Sequence, residues 1–248
     1  MRFRSFVALV GLVSFSAVCH SIQTSANPAE VPVSQAEWAE RRHGEKLALE
    51  KSHRYDLLMI GDSITHNFEK PEYQPVWNQY FAPRNALDLG YSGARTENIL
   101  WNIEHGELDG QTPKVVTLMI GTNNADETHY PTHHTGEQIF GGIRAIVKEI
   151  RQRLPKAKII LLRCFPYGEK PDLNSRGMVL NDASMRAKRL ADNRHVFWCD
   201  VNHVFLNPDG SMNKVLMPDY LHPSPEGARL WAEAMEPMLS RLMHDKRR

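Results

Sequence analysis

The sequence predicts a three-layer α/β domain, in which helices cover both faces of a parallel β-sheet. Short apolar runs alternate along the chain with longer segments of helical spacing, and this alternation is typical of βαβ units. The apolar runs are continuous, as is expected for strands that are buried on both faces. We therefore expect residues 34–248 to form a single domain.

Five apolar runs have the length and composition of the strands of this sheet. In chain order they are Leu57–Ile60, Ala86–Leu89, Val115–Ile120, Ile159–Cys164 and Val196–Cys199. Segments with helical spacing lie before, between and after these runs. They are Gln35–Ser52, with Ser34 as the expected N-cap, then Thr96–His105, Glu137–Leu154, Met178–Ala191 and Pro225–Met243.

The N-terminal residues have the pattern of an export signal. Two arginines precede the apolar run Phe6–Val18, which is too short for a comfortable membrane span. We expect a signal peptide over residues 1–26, a linker over residues 27–33, and a secreted or periplasmic protein with no stable membrane span after cleavage. Lipid anchoring at Cys19, an uncleaved anchor and a buried first helix are the alternatives.

Neither the charge nor the cysteines of the domain indicate a special partner or cofactor. The formal net charge is +1 with no broad basic excess, so we expect no nucleic acid partner. Cys164 and Cys199 each end an apolar run. We favour buried free thiols at both positions, with a disulfide in the exported protein as the alternative.

Three successive strands are predicted to end in glycine-rich polar sequences. These are Gly61-Asp62-Ser63, Gly90-Tyr91-Ser92-Gly93 and Gly121-Thr122-Asn123-Asn124. The reactive groups of parallel α/β sheets lie at the carboxyl ends of the strands, where loops lead into helices. We therefore expect these sequences to converge at one edge of the sheet and to form the functional site.

Ser63 is the candidate nucleophile of this site. Gly61 permits a tight turn there, which would present the serine at the end of the strand. The alternative is that Ser63 only caps the next helix, since Ser and Asp are favoured at N-caps. The stretch Asp219–His222, just before the last helix, offers the partners of a nucleophile. His222 would take the Ser63 proton and Asp219 would orient the imidazole. An ordinary surface turn is the alternative for that stretch.

Ester hydrolysis also needs hydrogen-bond donors for an oxyanion, and the strand ends offer them. The candidates are the backbone N–H groups of Ser63 and Gly93 and the side-chain amide of Asn123. A turn glycine and an Asx-type turn are the structural alternatives for Gly93 and Asn123. Those alternatives are independent of one another, whereas an ester hydrolase site explains all of these positions together.

The order of these motifs resembles that of the SGNH (GDSL) hydrolases. "GDSIT" is similar to the first block of that superfamily, with Ser63, and "LDLGYSGARTENILWNI" is similar to the second, with Gly93. "IGTNN" resembles the third block, with Asn123, and "DYLH" the fifth, with Asp219 and His222. Within the superfamily, the chain most resembles the platelet-activating-factor acetylhydrolase catalytic subunits and their bacterial relatives.

This resemblance implies a flavodoxin-like sheet of five parallel strands. It also implies ester hydrolysis through an acyl-enzyme, without a metal or another cofactor. The second block reads Gly-Tyr-Ser-Gly where those subunits tend to have Gly-x-Gly-Gly, so Tyr91 and Ser92 are expected at the rim of the pocket. His66 follows Ser63 closely and is a further candidate for substrate contact, with a place on the helix surface as the alternative.

The loop after Asn124 is longer than in those subunits, and it contains His129, His133 and His134. No carboxylate or Cys lies at a familiar metal-binding distance along the chain from these histidines, so we expect no metal site. Loops at the strand ends of such domains carry specificity. We therefore expect this loop to contact substrate as a lid.

The predicted function is that of an exported serine esterase that releases acetate or another short acyl group. The leading hypothesis is a carbohydrate O-acetylesterase acting on small-molecule or glycan esters, because export is expected and the superfamily includes such enzymes. A lysophospholipase or a phospholipid acetylhydrolase is the alternative among enzymes. A non-catalytic carbohydrate-binding domain on an esterase fold is the alternative outside them.

Overall fold

A computed structural model describes residues 26–245 and confirms the predicted three-layer α/β fold. The strands are β1 (Leu57–Gly61), β2 (Ala86–Gly90), β3 (Val115–Met119), β4 (Lys158–Leu162) and β5 (Val196–Cys199). All of their pairings are parallel, and their order in the sheet is β2-β1-β3-β4-β5. This is the flavodoxin-like order, in which the winding of the chain reverses between β1 and β3.

The helices follow the predicted alternation, with small differences at their ends. They are α1 (Glu37–Ser52), α2 (Ser63–His66), α3 (Gln74–Tyr80), α4 (Thr96–Glu104), α5 (Gly136–Arg153), α6 (Ser175–Ala187) and α7 (Pro225–Met243). Ala36 rather than Ser34 is the N-cap of α1. Helix α6 begins earlier than predicted, because the Asn174 side chain accepts a hydrogen bond from the Gly177 N–H and caps the helix there.

Two cores lie on opposite faces of the sheet because successive side chains of a strand point in opposite directions. Leu58 and Ile60 of β1 pack into one core with residues of α1, α4, α5 and α6. Leu57 and Met59 pack into the other core with residues of α3 and α7. The continuous apolar runs are therefore explained, since both faces of each strand are covered.

Residues 27–33, which the sequence analysis treated as a linker, instead pack against the domain. Pro28–Glu30 forms a 3-10 helix in which Ala29 is buried. The Ala29 carbonyl accepts a hydrogen bond of 2.9 Å from the Thr96 hydroxyl. Gly142 of α5 makes this close approach possible, because a Cβ at that position would lie 2.5 Å from the same carbonyl oxygen. The missing side chain thus lets the N-terminal segment lie on α5.

The predicted signal peptide, apart from residue 26, and Cys19 lie outside the described residues. Within residues 26–245, no helix is both long enough and apolar enough to cross a bilayer. Cys164 and Cys199 are buried free thiols, as predicted. They belong to the cores on opposite faces of the sheet, which explains why they do not pair. Burial raises the pKa of Cys164 to about 11 and that of Cys199 to about 12, so both remain protonated at neutral pH.

Candidate active site

The carboxyl ends of β1, β2 and β3 meet beside the point where the winding of the sheet reverses. The loops that follow these strands, together with the loop before α7, border a cleft of about 940 Å³. The site residues predicted from four separate segments line this cleft together: Ser63, Gly93, Asn123, Asp219 and His222. The parallel sheet therefore brings the predicted segments to one place, as the rule for carboxyl-terminal strand ends requires.

Ser63 is the first residue of α2, and its side chain is not the helix cap. Asp62 is the N-cap, and its carboxylate accepts a hydrogen bond of 3.0 Å from the Ile64 N–H. The capping alternative for Ser63 therefore does not hold, and the serine hydroxyl is available for another contact. The preceding turn needs Gly61, because a Cβ there would lie 2.9 Å from the Met119 carbonyl oxygen and closer still to the Thr65 hydroxyl.

Ser63, His222 and Asp219 form a continuous hydrogen-bonded chain. Ser63 Oγ lies 2.8 Å from His222 Nε2, and His222 Nδ1 lies 2.7 Å from Asp219 Oδ2. The other oxygen of Asp219 accepts hydrogen bonds from the backbone N–H groups of Leu221 and His222, at 3.0 and 2.7 Å. An ionised Asp219 selects the tautomer of His222 with hydrogen on Nδ1, which leaves Nε2 as the acceptor for the serine proton.

The electrostatic surroundings keep Asp219 ionised. Burial opposes ionisation of this carboxyl, but the backbone and ring hydrogen bonds from His222 outweigh it and lower the pKa of Asp219 below its ordinary value. Asp62 differs, because burial raises its pKa to about 6, although the hydrogen bond from the Ile64 N–H and the nearby Arg176 guanidinium act in the opposite direction. An ionised Asp219 also stabilises the imidazolium that forms once His222 has accepted a proton.

The predicted oxyanion donors lie at the same cleft. Gly93 has φ of 75°, a left-handed conformation that favours glycine. Asn123 Nδ2 donates one hydrogen bond, of 3.0 Å, to the Ala94 carbonyl, and this contact fixes the direction of the amide group. The Tyr130 hydroxyl donates to the Gly93 carbonyl, and a Cβ at Gly93 would lie 3.1 Å from that hydroxyl. Tyr130 thus holds the Gly93 loop in place.

Of the three residues predicted to contact substrate, only Ser92 lines the cleft. Tyr91 is fully buried in the core next to α4, and its hydroxyl donates to the Glu107 carboxylate. This burial contradicts the prediction that Tyr91 contacts substrate. The reason is the alternation of side chains along the extended chain, which turns Tyr91 inward while Ser92 turns toward the cleft.

His66 is not among the described residues that line the cleft. Its Nδ1 is 2.9 Å from the Ser92 hydroxyl and 3.3 Å from the Ser92 backbone nitrogen. The Trp38 ring stacks on the imidazole at a centroid distance of 6.1 Å. The His66 imidazole thus contacts Ser92, which lines the cleft, and this contact positions Ser92 in place of the predicted contact with substrate.

The sequence analysis missed a buried ion pair at the cleft, between Arg176 and Asp126. Arg176 Nη1 lies 3.1 Å from Asp126 Oδ2, and Nη2 donates to the Thr122 carbonyl at 3.0 Å. The guanidinium lies 4.1 Å from the centre of the Tyr167 ring. No motif surrounds Arg176, but Asp126 and His129 repeat the Asp-x-x-His spacing of the "DYLH" stretch. That repeat was the signal that could have identified Asp126.

The three histidines of the long loop have different surroundings. His134 is buried beside Arg95 and Asn124, with ring-nitrogen distances of 2.6 and 3.0 Å. His129 lines the cleft, whereas His133 is exposed and is not among the cleft residues. Among residues 26–245, no three His, Cys, Asp or Glu side chains are placed to hold a metal ion.

Comparison with known proteins shows the family to which the chain belongs. The model of the GDSL-like lipase/acylhydrolase family matches residues 59–230. The chain is 32% identical to platelet-activating factor acetylhydrolase IB subunit alpha1 of Homo sapiens, over 88% of this chain and 91% of that protein. It is similar in fold to an acetyl xylan esterase, with a TM-score of 0.62, 20% identity and coverage of 74% of this chain and 98% of the other.

A further solved structure is similar in fold, a GDSL-like lipase from Bacteroides thetaiotaomicron. Its TM-score is 0.61 at 17% identity, over 81% of this chain and 97% of the other. The family match spans the strand ends and nearly all of the cleft, and it confirms the resemblance seen in the motifs. The chain therefore belongs to the GDSL-like lipase/acylhydrolase family, and it is a serine ester hydrolase.

Proposed function

We propose that Ser63 is the nucleophile of this hydrolase, with His222 as its base and Asp219 as the residue that orients His222. The observation that carries this assignment is the hydrogen-bonded chain from Ser63 Oγ through His222 to Asp219, with distances of 2.8 and 2.7 Å. Ser63 attacks the ester carbonyl while His222 accepts its proton. The Ser63 and Gly93 N–H groups and the Asn123 amide stabilise the oxyanion that forms.

After the attack, His222 acts as an acid rather than as a base. Protonated His222 gives its proton to the leaving alcohol, and an acyl group remains on Ser63. Water then attacks the acyl-enzyme as His222 again accepts a proton, and the acid is released with Ser63 restored. Asp219 remains ionised throughout and stabilises the imidazolium in both steps.

The acyl group that we propose is acetyl. The described residues that line the cleft include three tyrosines and two prolines, and Leu221 is the single Val, Ile, Leu or Met side chain among them. A long acyl chain would need a larger apolar surface in the cleft, against which it could be buried away from water. The human relative named above is an acetylhydrolase and one of the similar folds is an acetyl xylan esterase, which supports the same acyl group. A lysophospholipase is correspondingly disfavoured.

For the alcohol part, we propose a carbohydrate or another polyol. The hydrogen-bonding side chains in the cleft lining, among them Ser92, Asn123 and His129, support this choice, as does the export pattern of the N-terminal sequence. A phospholipid acetylhydrolase is the second candidate, and relatives at 30–32% identity that bear the name platelet-activating factor acetylhydrolase favour it. The non-catalytic carbohydrate-binding alternative is not retained, because the family consists of hydrolases.

Two sets of substrates test this proposal. Phenyl acetate, butyrate and octanoate report the acyl preference, while acetylated xylan and platelet-activating factor report the alcohol. We expect rates that fall with acyl length, and acetate release from the glycan. In Ser63→Ala and in His222→Ala, kcat/KM should fall by roughly 10⁴-fold or more. Turnover of the Ser63→Ala variant at the wild-type rate would refute the mechanism, and cleavage of the phospholipid alone would favour the second candidate.

A further inference from the structure

A second aspartate–histidine pair, Asp126 and His129, lies in the same cleft as Asp219 and His222. His129 Nδ1 lies 2.9 Å from Asp126 Oδ2. Asp126 Oδ1 accepts hydrogen bonds from the backbone N–H groups of Thr128 and His129, at 2.9 and 3.2 Å. The same three contacts, at the same spacing along the chain, join Asp219 to His222. The cleft therefore contains two imidazoles, and each is oriented by its own aspartate through the same set of hydrogen bonds.

Asp126 is anchored as a buried carboxylate. The oxygen that contacts His129 also lies 3.1 Å from Arg176 Nη1, and the side chains of Asp126 and Arg176 are each 6% exposed. Burial works against ionisation, but the contacts with the His129 ring and the Thr128 N–H, together with the charge of Arg176, lower the pKa of Asp126 below its ordinary value. At neutral pH this carboxylate therefore accepts the hydrogen on His129 Nδ1.

The orientation of His129 leaves its Nε2 as a hydrogen-bond acceptor at the cleft. In the neutral ring the nitrogen without hydrogen is the acceptor, and the contact with Asp126 assigns the hydrogen to Nδ1. Within residues 26–245, His129 Nε2 has no hydrogen-bond partner, unlike His222 Nε2, which contacts Ser63. The side chain is 76% exposed, so the acceptor is accessible to a bound molecule.

The loop that contains His129 is attached to the oxyanion side of the site. Asn123 and Asp126 belong to the same short segment after β3, and the Asp126 N–H donates to the Asn123 carbonyl at 3.2 Å. On the other side of His129, the Tyr130 hydroxyl donates to the Gly93 carbonyl. Contacts on both sides thus hold His129 close to the groups assigned to the oxyanion.

We propose that His129 contacts the alcohol part of the substrate and accepts a hydrogen bond from a hydroxyl beside the ester. This inference rests on the proposed function, in which the alcohol is a polyol. Sugars and glycerol carry hydroxyl donors next to an esterified oxygen, whereas a phenyl ester carries none. A site that provides an acceptor for such a hydroxyl discriminates against esters that lack it.

The test compares two acetate esters, glycerol monoacetate and phenyl acetate. In His129→Ala, the ratio of kcat/KM for glycerol monoacetate to that for phenyl acetate should fall about tenfold, as expected for one lost hydrogen bond. His129→Gln, which keeps an acceptor, should restore part of the ratio. The matched control is His133→Ala, in the same loop but outside the cleft, which should leave the ratio at the wild-type value.

The outcomes separate this inference from the proposed function. An unchanged ratio in His129→Ala would overturn the role of His129, even in an enzyme that cleaves acetylated xylan well. An equal fall of the ratio in His133→Ala would also overturn it, because the effect would then belong to the loop as a whole. If the wild-type protein cleaves glycerol monoacetate but no glycan, the proposed glycan substrate fails, while the ratio still decides the role of His129.

Discussion

The two Asp-x-x-His loops of the cleft have the same local geometry and opposite surroundings. In the loop before α7, the Asp219 side chain is 53% exposed and the His222 side chain is 29% exposed. In the loop after β3, Asp126 is 6% exposed and His129 is 76% exposed. The histidine is thus the more covered partner in the first loop and the aspartate in the second.

This difference shows that the environment, rather than the local pair, decides what each pair does. His222 lies against Ser63, so its ring can exchange a proton with the proposed nucleophile. Asp126 forms a buried ion pair with Arg176, and this ion pair stabilises the wall of the cleft. We therefore expect loss of Asp219 to affect mainly activity and loss of Asp126 to affect mainly stability.

The largest expected effect comes from Asp219→Asn. An asparagine cannot select the productive tautomer of His222, and kcat for phenyl acetate should fall roughly 10⁴-fold, as in serine hydrolases of similar geometry. Steady-state kinetics at neutral pH measure this effect, and circular dichroism checks that the fold is retained. A loss below tenfold would break the comparison, because Asp219 would then contribute no more than an ordinary surface turn.

The second-largest expected effect is the loss of stability in the Asp126→Asn variant. This change leaves the Arg176 guanidinium buried without its carboxylate, so the free energy of unfolding should fall by about 3 kcal/mol. Urea unfolding at pH 7 measures it. Asp219→Asn is the matched control and should cost less than about 1 kcal/mol, since more than half of that side chain is exposed. Equal losses in the two variants would contradict the distinction between the loops.

The smallest expected effect is on the free energy of unfolding at acid pH. The pKa values of Asp126 and Asp219 are both lowered from the ordinary 3.8, in each case against burial, by hydrogen bonds from their histidines. A lowered pKa stabilises the folded state above pH 3.8, and this contribution is lost as the pH falls through the folded-state pKa. Between pH 6 and pH 3, the free energy of unfolding of Asp126→Asn should therefore fall less than that of the wild-type protein, as urea unfolding at each pH would measure. A parallel decline would contradict this expectation.

Much of the fold follows from features that a single segment carries. The apolar runs from Leu57 to Ile60 and from Val115 to Ile120 predict buried strands because short, continuous apolar runs are typical of strands that are covered on both faces. The polar strand ends with Gly93 and Asn123 then follow from the rule for parallel sheets. The packing of residues 27–33 was not predictable in this way, because it depends on Gly142, more than a hundred residues away.

The sequence by itself determined the strand–helix alternation, the polar strand ends and both aspartate–histidine pairs. In each pair the aspartate accepts a hydrogen bond from the backbone N–H of its histidine, so a short local turn holds the two residues together. The tertiary structure decided which imidazole meets a serine, since Ser63 and His222 are 159 residues apart in the chain and meet only when the loop before α7 lies at the end of β1. It likewise turned Tyr91 into the core and placed Arg176 against Asp126, because burial depends on neighbouring layers that no local segment specifies.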